Sequence, residues 1–263
     1  MTVKIHRTAL VSEKAELGID VEVGPYAIID DEVIVGDGCL VGPYTRLTGR
    51  TSIGARNHFE SHGSIGAPPQ DLKYAGEPTA LEIGDGNVFR EFVTLHRGTP
   101  GGGGVTRIAD GGLFMAYAHV AHDCAVGSQV IFANNATLAG HVDVADGATI
   151  GAFTAVHQFC RVGMHAFIGG GSIVTKDCLP FMKVVGNRPA RCFGPNSIGL
   201  ERKGFSEESR RALKGLWRIL HSPKLNTSQA VAKVKAELAG IAEVDLVTGF
   251  IESSQRGVIL AKG

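Results

Sequence analysis

A large apolar side chain recurs at every sixth position through the first quarter of the chain. Ile5, Val11, Leu17, Val23, Ile29, Val35, Val41, Leu47, Ile53, Phe59 and Ile65 form an unbroken ladder. A second ladder runs Ile108, Phe114, Val120, Val126, Phe132, Leu138, Val144, Ile150, Val156, Val162, Ile168, Val174. With such residues at about a third of all positions, eleven in succession is roughly a one-in-10⁵ accident. The period is neither that of a helix nor that of a simple strand. It is the signature of a solenoid, in which each repeat buries its apolar rung against the next.

Two residues before each rung lies a second inward slot filled by small side chains, among them Ala9, Ala27, Thr45, Ala118, Ala136, Thr154 and Ser172. Glycine often follows the rung, as in Leu17-Gly18, Val35-Gly36 and Val162-Gly163, where it permits a sharp turn and close backbone approach. Three such units, each a short strand and a corner, make one triangular coil. Successive coils pair as parallel strands about 4.8 Å apart, giving a prism with its rungs stacked inside. Of the five cysteines, Cys39, Cys124, Cys160 and Cys178 fall in the small slot, and none forms a CxxC pair. They read as core hydrophobes, and free core thiols suit a reducing cytoplasm.

The ladder breaks twice. Between Ile65 and Ile83 the rungs expected at Asp71 and Glu77 are missing, so this stretch leaves the prism as a loop. Between Leu95 and Ile108 the phase slips by a single position through Gly98-Thr99-Pro100-Gly101-Gly102-Gly103-Gly104, which reads as a flexible glycine loop. After Val174 the period ends. Ser206, followed by Glu207 and Glu208, is an N-cap signal, and Leu213, Leu216, Trp217 and Leu220 follow at helical spacing. Thr227 opens a second helical pattern, and Val244, Val247, Phe250 and Ile251 a third. The expected organisation is mainly β: a parallel β-helix over 1–185 with loops near 67–82 and 98–107, a connector over 186–200, and a small helical domain over 201–263.

Bulk properties remove several classes. Formal net charge is zero, which argues against nucleic acid or an anionic membrane as partner. No apolar run reaches transmembrane length. The N-terminus enters the ladder at once and leaves no room for a signal peptide, so a cytoplasmic location is expected.

Inward slots hold small and apolar residues, so chemistry must come from outward positions and loops. His96, His119, His122, His141 and His157 cluster there, none in an inward slot. Counted coil by coil, His122, Gly140 and Gln158 form one vertical column, with Asp123, His141 and Phe159 in the next. A histidine base, an orienting carboxylate and a bare glycine N–H are what acyl transfer to a hydroxyl requires. No serine or cysteine is paired with a base, which favours direct attack over an acyl-enzyme. Adjacent strand residues point to opposite faces, so a His122–Asp123 pairing needs a corner at that point.

The segments His119-Val120-Ala121-His122-Asp123-Cys124, Asn134-Asn135-Ala136-Thr137-Leu138-Ala139-Gly140-His141 and Val156-His157-Gln158-Phe159 resemble UDP-N-acetylglucosamine acyltransferases, which catalyse the first step of lipid A synthesis. Gln70-Asp71-Leu72-Lys73-Tyr74 and His96-Arg97-Gly98-Thr99 match as well, and the resemblance spans essentially the whole chain. It implies a left-handed β-helix, a homotrimer with active sites between subunits, and no cofactor or metal. The implied donor is an (R)-3-hydroxyacyl chain on acyl carrier protein, and the acceptor is the glucosamine 3-hydroxyl of UDP-N-acetylglucosamine. It makes His122 the general base, Asp123 its support and Gly140 N–H the oxyanion donor. Asp71 and Lys73 would hold the acceptor, and His96, His119, His141, His157 and Gln158 would line the site. Gly170 would set acyl length, and Asn196, Arg202 and Lys203 would meet the nucleotide.

Glu201, Ile198 and Arg188 depart from the family pattern near the connector. The basic run Arg202, Lys203, Arg210, Arg211, Lys214 and Arg218 offers a surface for an acidic carrier protein or simply a solvated helix face. Three rivals stand beside this reading. One is a zinc-dependent trimer like the gamma-class carbonic anhydrases, which needs imidazoles at tetrahedral geometry. The others are a different hexapeptide-repeat transferase and a non-enzymatic scaffold.

Overall fold

A computed structural model describes residues 2–260. The last three positions of the helical domain expected over 201–263 lie outside the described residues. The ladder folds as expected, into a left-handed parallel β-helix with three faces. The first face runs from strand Lys4–Ile5 to Met182–Val185, the second from Leu10–Val11 to Ile173–Val174, and the third from Glu16–Leu17 to Arg161–Val162. Most paired strands are separated by three repeat units, as in Val120 against Leu138 and Leu138 against Val156.

Two coils are longer. His58 pairs with Val88, and Ala80 with Val105, each partner lying further along the chain than one ordinary coil. The first excess is two whole repeat units, so the ladder keeps phase across it. The second is one unit and a single extra position, which explains the slip. The loops are shorter than expected, because Ala80–Ile83 and Val105–Ile108 are strands in register with Arg50–Ile53. These strands start two residues earlier than the usual two-residue strand, so the second inward slot, filled by the buried Leu81 and Thr106, lies within them.

The rungs are buried throughout the middle coils. Phe59, Phe89, Phe114 and Phe132 stack in one column inside the first face, with ring centroids 4.8 to 4.9 Å apart. Each such ring stabilises the stack by about 1.5–3 kcal/mol through burial, and offset stacking adds roughly 0.5–1.5 kcal/mol per pair. The same inward slot also holds two asparagines, Asn57 and Asn87, both fully buried. Their amides bond Gly54, Gly84 and Ala109 carbonyls and each other, so the polar atoms are matched inside the core.

The sharp turn does not sit at the glycine after the rung. It sits two residues later, where Asp20, Tyr26, Tyr44, Asp123, His141 and Phe159 adopt left-handed φ of 56 to 63°. The glycine serves close approach instead: a Cβ at Gly36 would lie 2.6 Å from the Gly54 backbone of the next coil. The corner residues of the first and second faces form an exposed ladder, Tyr26, Tyr44, His62, Phe92 and Tyr117, with centroids 4.8 to 5.1 Å apart.

The two ends differ. In the first coil the rung Ile5 is 48% exposed and the rungs Val11 and Leu17 are only half-buried. The last coil is covered. Residues 186–200, expected as a connector, contain strand Arg191–Pro195, antiparallel to Met182–Val185, and the start of helix α1, Ser197–Arg202. Helices α2 (Glu207–Leu220), α3 (Thr227–Glu237) and α4 (Ala242–Glu252) follow. Ser206 caps α2 and an Asn226–Gln229 capping box opens α3. Leu213, Leu216, Val234 and Val247 bury the helices in a core continuous with the prism. The tail then returns, and Asp177 bonds Gly257 and Ile259 through its backbone.

Candidate active site

The corner between the second and third faces carries the catalytic candidates. Asp123, at φ +59°, supplies the bend that lets it turn back towards His122. His122 Nδ1 lies 2.8 Å from Asp123 Oδ2. The next coil up is held by His141 N–H to the His122 carbonyl at 3.0 Å, and the one above by Phe159 N–H to the Gly140 carbonyl at 3.4 Å. The two columns therefore stand as expected, His122 under Gly140 and Gln158, Asp123 under His141 and Phe159.

The Asp123 side chain is inaccessible, whereas that of His122 keeps 15% exposure. His141 Nε2 is 3.7 Å from the same Asp123 oxygen, its ring edge-on to His122 and stacked on Phe159. The His122 imidazole packs directly against Gly140. A Cβ there would meet Nε2 at 2.7 Å and Cε1 closer still. Ala139 and His141 donate their N–H groups to carbonyls, while Gly140 N–H has no acceptor among the described residues. The N–H groups of His122 and Gln158 in the same column are likewise without an acceptor, and Gly140 is the one of the three against which the His122 imidazole packs.

A groove of about 550 Å³ runs along the second face beside this corner. His119, Thr137, Ala155 and Ile173 floor it, His122, Gly140 and His157 edge it, and Gln70 and Arg188 close it. The floor is one outward column rising coil by coil from His119, a signal already present in the sequence. Gln70 and Arg188 come from the first loop and from beyond the last coil; their placement depends on the folded chain.

The remaining histidines divide. His119 accepts or donates at Thr94 Oγ1, 2.7 Å away, and burial pushes its pKa down. His96 is 5% exposed, packed edge-on against His119, and its Nδ1 has no partner. Burial, then the neighbouring His119, His122 and Arg97, push His96 down to about 4, so it is neutral at ordinary pH. It is outside the prism core but covered. His157 Nδ1 is 3.2 Å from the Gln158 carbonyl. The Cys124 thiol points inward and donates to the Ala139 carbonyl at 3.2 Å, and burial pushes it up to about 12. It is no nucleophile.

Comparison with known proteins gives the family. A curated acyl-[acyl-carrier-protein]--UDP-N-acetylglucosamine O-acyltransferase from Thiobacillus denitrificans is 50% identical over 255 residues, 97% of this chain and 98% of its own. One from Myxococcus xanthus matches at the same 50%, again over 97% and 98%. The chain belongs to the UDP-N-acetylglucosamine O-acyltransferase family. The solved LpxA structure from Acinetobacter baumannii superposes with a TM-score of 0.93 at 39% identity, covering 97% of this chain and 99% of that one. The Francisella novicida enzyme gives 0.93 at 32%, covering 98% and 95%. A family model described as UDP N-acetylglucosamine O-acyltransferase, domain 2, matches residues 177–259.

Other residues that the O-acyltransferase resemblance singles out lie apart from His122 within this one chain. Asp71 Oδ1 accepts the Lys73 N–H at 3.0 Å, shaping the first loop, but neither lines the groove; Gln70 does. Gly170 is exposed at the corner between the first and second faces, where a Cβ would sit 3.0 Å from the Ala152 carbonyl. Asn196 caps α1 and donates to His165 O at 3.3 Å. Lys203 Nζ reaches Gly147 O at 3.4 Å, and Arg202 is exposed beside it. His165 and Gly147 belong to the corner between the third and first faces, not to the His122 corner.

Proposed function

We propose that this chain transfers an (R)-3-hydroxyacyl group from acyl carrier protein to the 3-hydroxyl of UDP-N-acetylglucosamine. One observation carries the reading: His122, tied through Nδ1 to a buried carboxylate, edges a groove and packs against a glycine whose N–H is free. The Asp123 bond fixes the tautomer, leaving His122 Nε2 to take the proton of the attacking hydroxyl. Gly140 N–H, with no other acceptor, would hold the oxyanion of the tetrahedral intermediate. His122 then returns the proton to the departing thiolate, so no acyl-enzyme forms. The groove floor of Ala155 and Ile173 suits an acyl chain.

Asn196, Arg202 and Lys203 lie on another corner, so we infer a homotrimer in which that corner of one prism faces the groove of the next. The exposed aromatic ladder Tyr26–Tyr117 and the half-exposed Leu40 and Ile131 on the first face give such contacts apolar area. Five buried free thiols fit a reducing, cytoplasmic setting, and no helix among the described residues is long and apolar enough to cross a membrane.

One observation favours the zinc reading: His122, Asp123 and His141 offer ligand atoms within 4.8 Å of one another. Against it, the Asp123 oxygens already accept from Thr99, and a metal on His122 Nδ1 would have to displace that network. The test is acyl transfer from 3-hydroxyacyl carrier proteins of graded chain length to UDP-N-acetylglucosamine, with and without EDTA. Transfer is expected to be unaffected by EDTA and abolished in His122→Ala, with the oligomer intact. Near-normal turnover in His122→Ala removes the base assignment; loss of turnover in EDTA returns the metal reading.

A further inference from the structure

The glycine loop between Arg97 and Val105 reads in sequence as a flexible spacer, yet its residues are pinned. Gly98 N–H donates to Ala80 O at 3.1 Å, and Ala80 N–H donates to Gly104 O at 2.8 Å, closing the loop at its base. Gly102 and Gly104 N–H groups both donate to the Thr99 carbonyl, at 3.0 and 2.8 Å. Thr99 at the centre is 6% exposed. It aims both of its donors at one carboxylate: its N–H bonds Asp123 Oδ1 at 2.8 Å and its hydroxyl bonds Asp123 Oδ2 at 2.6 Å.

The glycines make this approach possible. A Cβ at Gly102 would occupy the space of the Asp123 carboxylate, and one at Gly98 would stand 2.8 Å from Asp123 Oδ1. Behind it, Thr106 Oγ1 accepts the Asp123 N–H at 2.8 Å. The inserted residues therefore form a clamp directed at Asp123.

We propose that Thr99 is a positioning residue for catalysis, locking the Asp123 carboxylate onto His122 rather than His141. This rests on the general-base reading of His122. Asp123 Oδ2 is 2.8 Å from His122 Nδ1 and 3.7 Å from His141 Nε2, and both imidazoles compete for it. A carboxylate rotates about its Cβ–Cγ bond. Fixing Oδ1 on a backbone N–H and Oδ2 on a hydroxyl removes that freedom. Without the hydroxyl, Oδ2 can turn to His141, and His122 loses both its tautomer and its orientation.

The experiment uses the full-length protein with the acyl-carrier-protein donor and UDP-N-acetylglucosamine. Thr99→Val keeps shape and N–H and removes only the hydroxyl. It is expected to lower kcat by about tenfold to a hundredfold, the range for losing a hydrogen bond to a charged group, with KM for UDP-N-acetylglucosamine within twofold. Thr99→Ser is expected to restore kcat to within threefold of wild type. In an Asp123→Ala background, Thr99→Val should cost nothing further, because its effect passes through the missing carboxylate. Wild-type kcat in Thr99→Val, or an undiminished loss in the Asp123→Ala background, overturns the proposal. If Thr99→Val does not fold, Gly102→Ala is read instead, since it displaces Asp123 and leaves Thr99 unchanged; normal kcat there is equally fatal. Should Asp123→Ala and His122→Ala both retain activity, the base assignment has failed, which is a separate outcome.

Discussion

Gly140→Ala isolates the position of His122 from every other part of the site. The added methyl would stand 2.7 Å from Nε2 and closer to Cε1, whereas ordinary contact begins near 3.4 Å. Gly140 does not adopt left-handed φ, so alanine brings no backbone strain of its own. The coil backbone is tied on both sides by the Ala139 and His141 N–H bonds and cannot retreat. The imidazole must therefore withdraw by about 1 Å, the scale of misplacement at which positioned groups lose their grip on the reaction. That breaks or stretches its 2.8 Å bond to Asp123 and moves Nε2 off the acceptor hydroxyl. A misplacement of this size costs on the order of 10²-fold in rate, or about 2.7 kcal/mol of transition-state stabilisation. The substituted residue keeps its N–H, so the loss reports the base and not the oxyanion donor. Steady-state kinetics of the purified variant, with its melting temperature measured in parallel, make the check. A well-folded Gly140→Ala enzyme within threefold of wild-type kcat would show that the position of His122 does not limit turnover.

Two further outcomes follow from buried groups. Cys124→Ser buries a more polar hydroxyl where a thiol sat and, its C–O bond being shorter, stretches the contact with Ala139 O, so stability should fall by about 1–3 kcal/mol while kcat is unchanged; a folded but inactive variant would revive a covalent route. His96 is held near 4 against an ordinary 6.5, so the unfolded chain takes up a proton first as pH falls. Its contribution is complete above about 6.5 and is lost on acidification towards 4, amounting to about 2.5 kcal/mol between pH 7.5 and 4.5. Urea midpoints at those two pH values should therefore separate more for wild type than for His96→Gln; equal separations would mean that His96 is not buried neutral.

The prism was legible because a six-residue period admits no common alternative, and counting three repeats at a time places His122 beneath Gly140 without any structure. Pairing His122 with Asp123 was not legible in the same way. Neighbours on a strand diverge, and only the left-handed φ at Asp123 lets the two side chains meet. Glycine misled at the turns, since the residue after the rung is small to let coils approach and the bend is taken by Tyr44, Asp123 or His141. Asn57 and Asn87 broke the small-apolar rule because each can satisfy its amide on carbonyls of adjacent coils, a match that exists only once the coils are stacked. Thr99 gave no sign at all. A run of glycines looks the same whether it flexes or grips, and the difference lies in a carboxylate far along the chain, one coil on.

The unequal ends of the prism bear on how the enzyme comes apart. Each coil is stabilised chiefly by the one above and the one below, so loss of order proceeds by unzipping from a free end. The first coil has no lower neighbour and leaves the rung Ile5 in water and Val11 and Leu17 only half-buried, whereas the last is roofed by α1 to α4 and stitched to the returning tail at Asp177. Fraying then starts at the N-terminus and travels toward the roof, and amide exchange should slow in that direction. His122, Gly140 and Gln158 sit on coils near the roofed end, so the proton-transfer apparatus occupies the stretch of the solenoid that opens last.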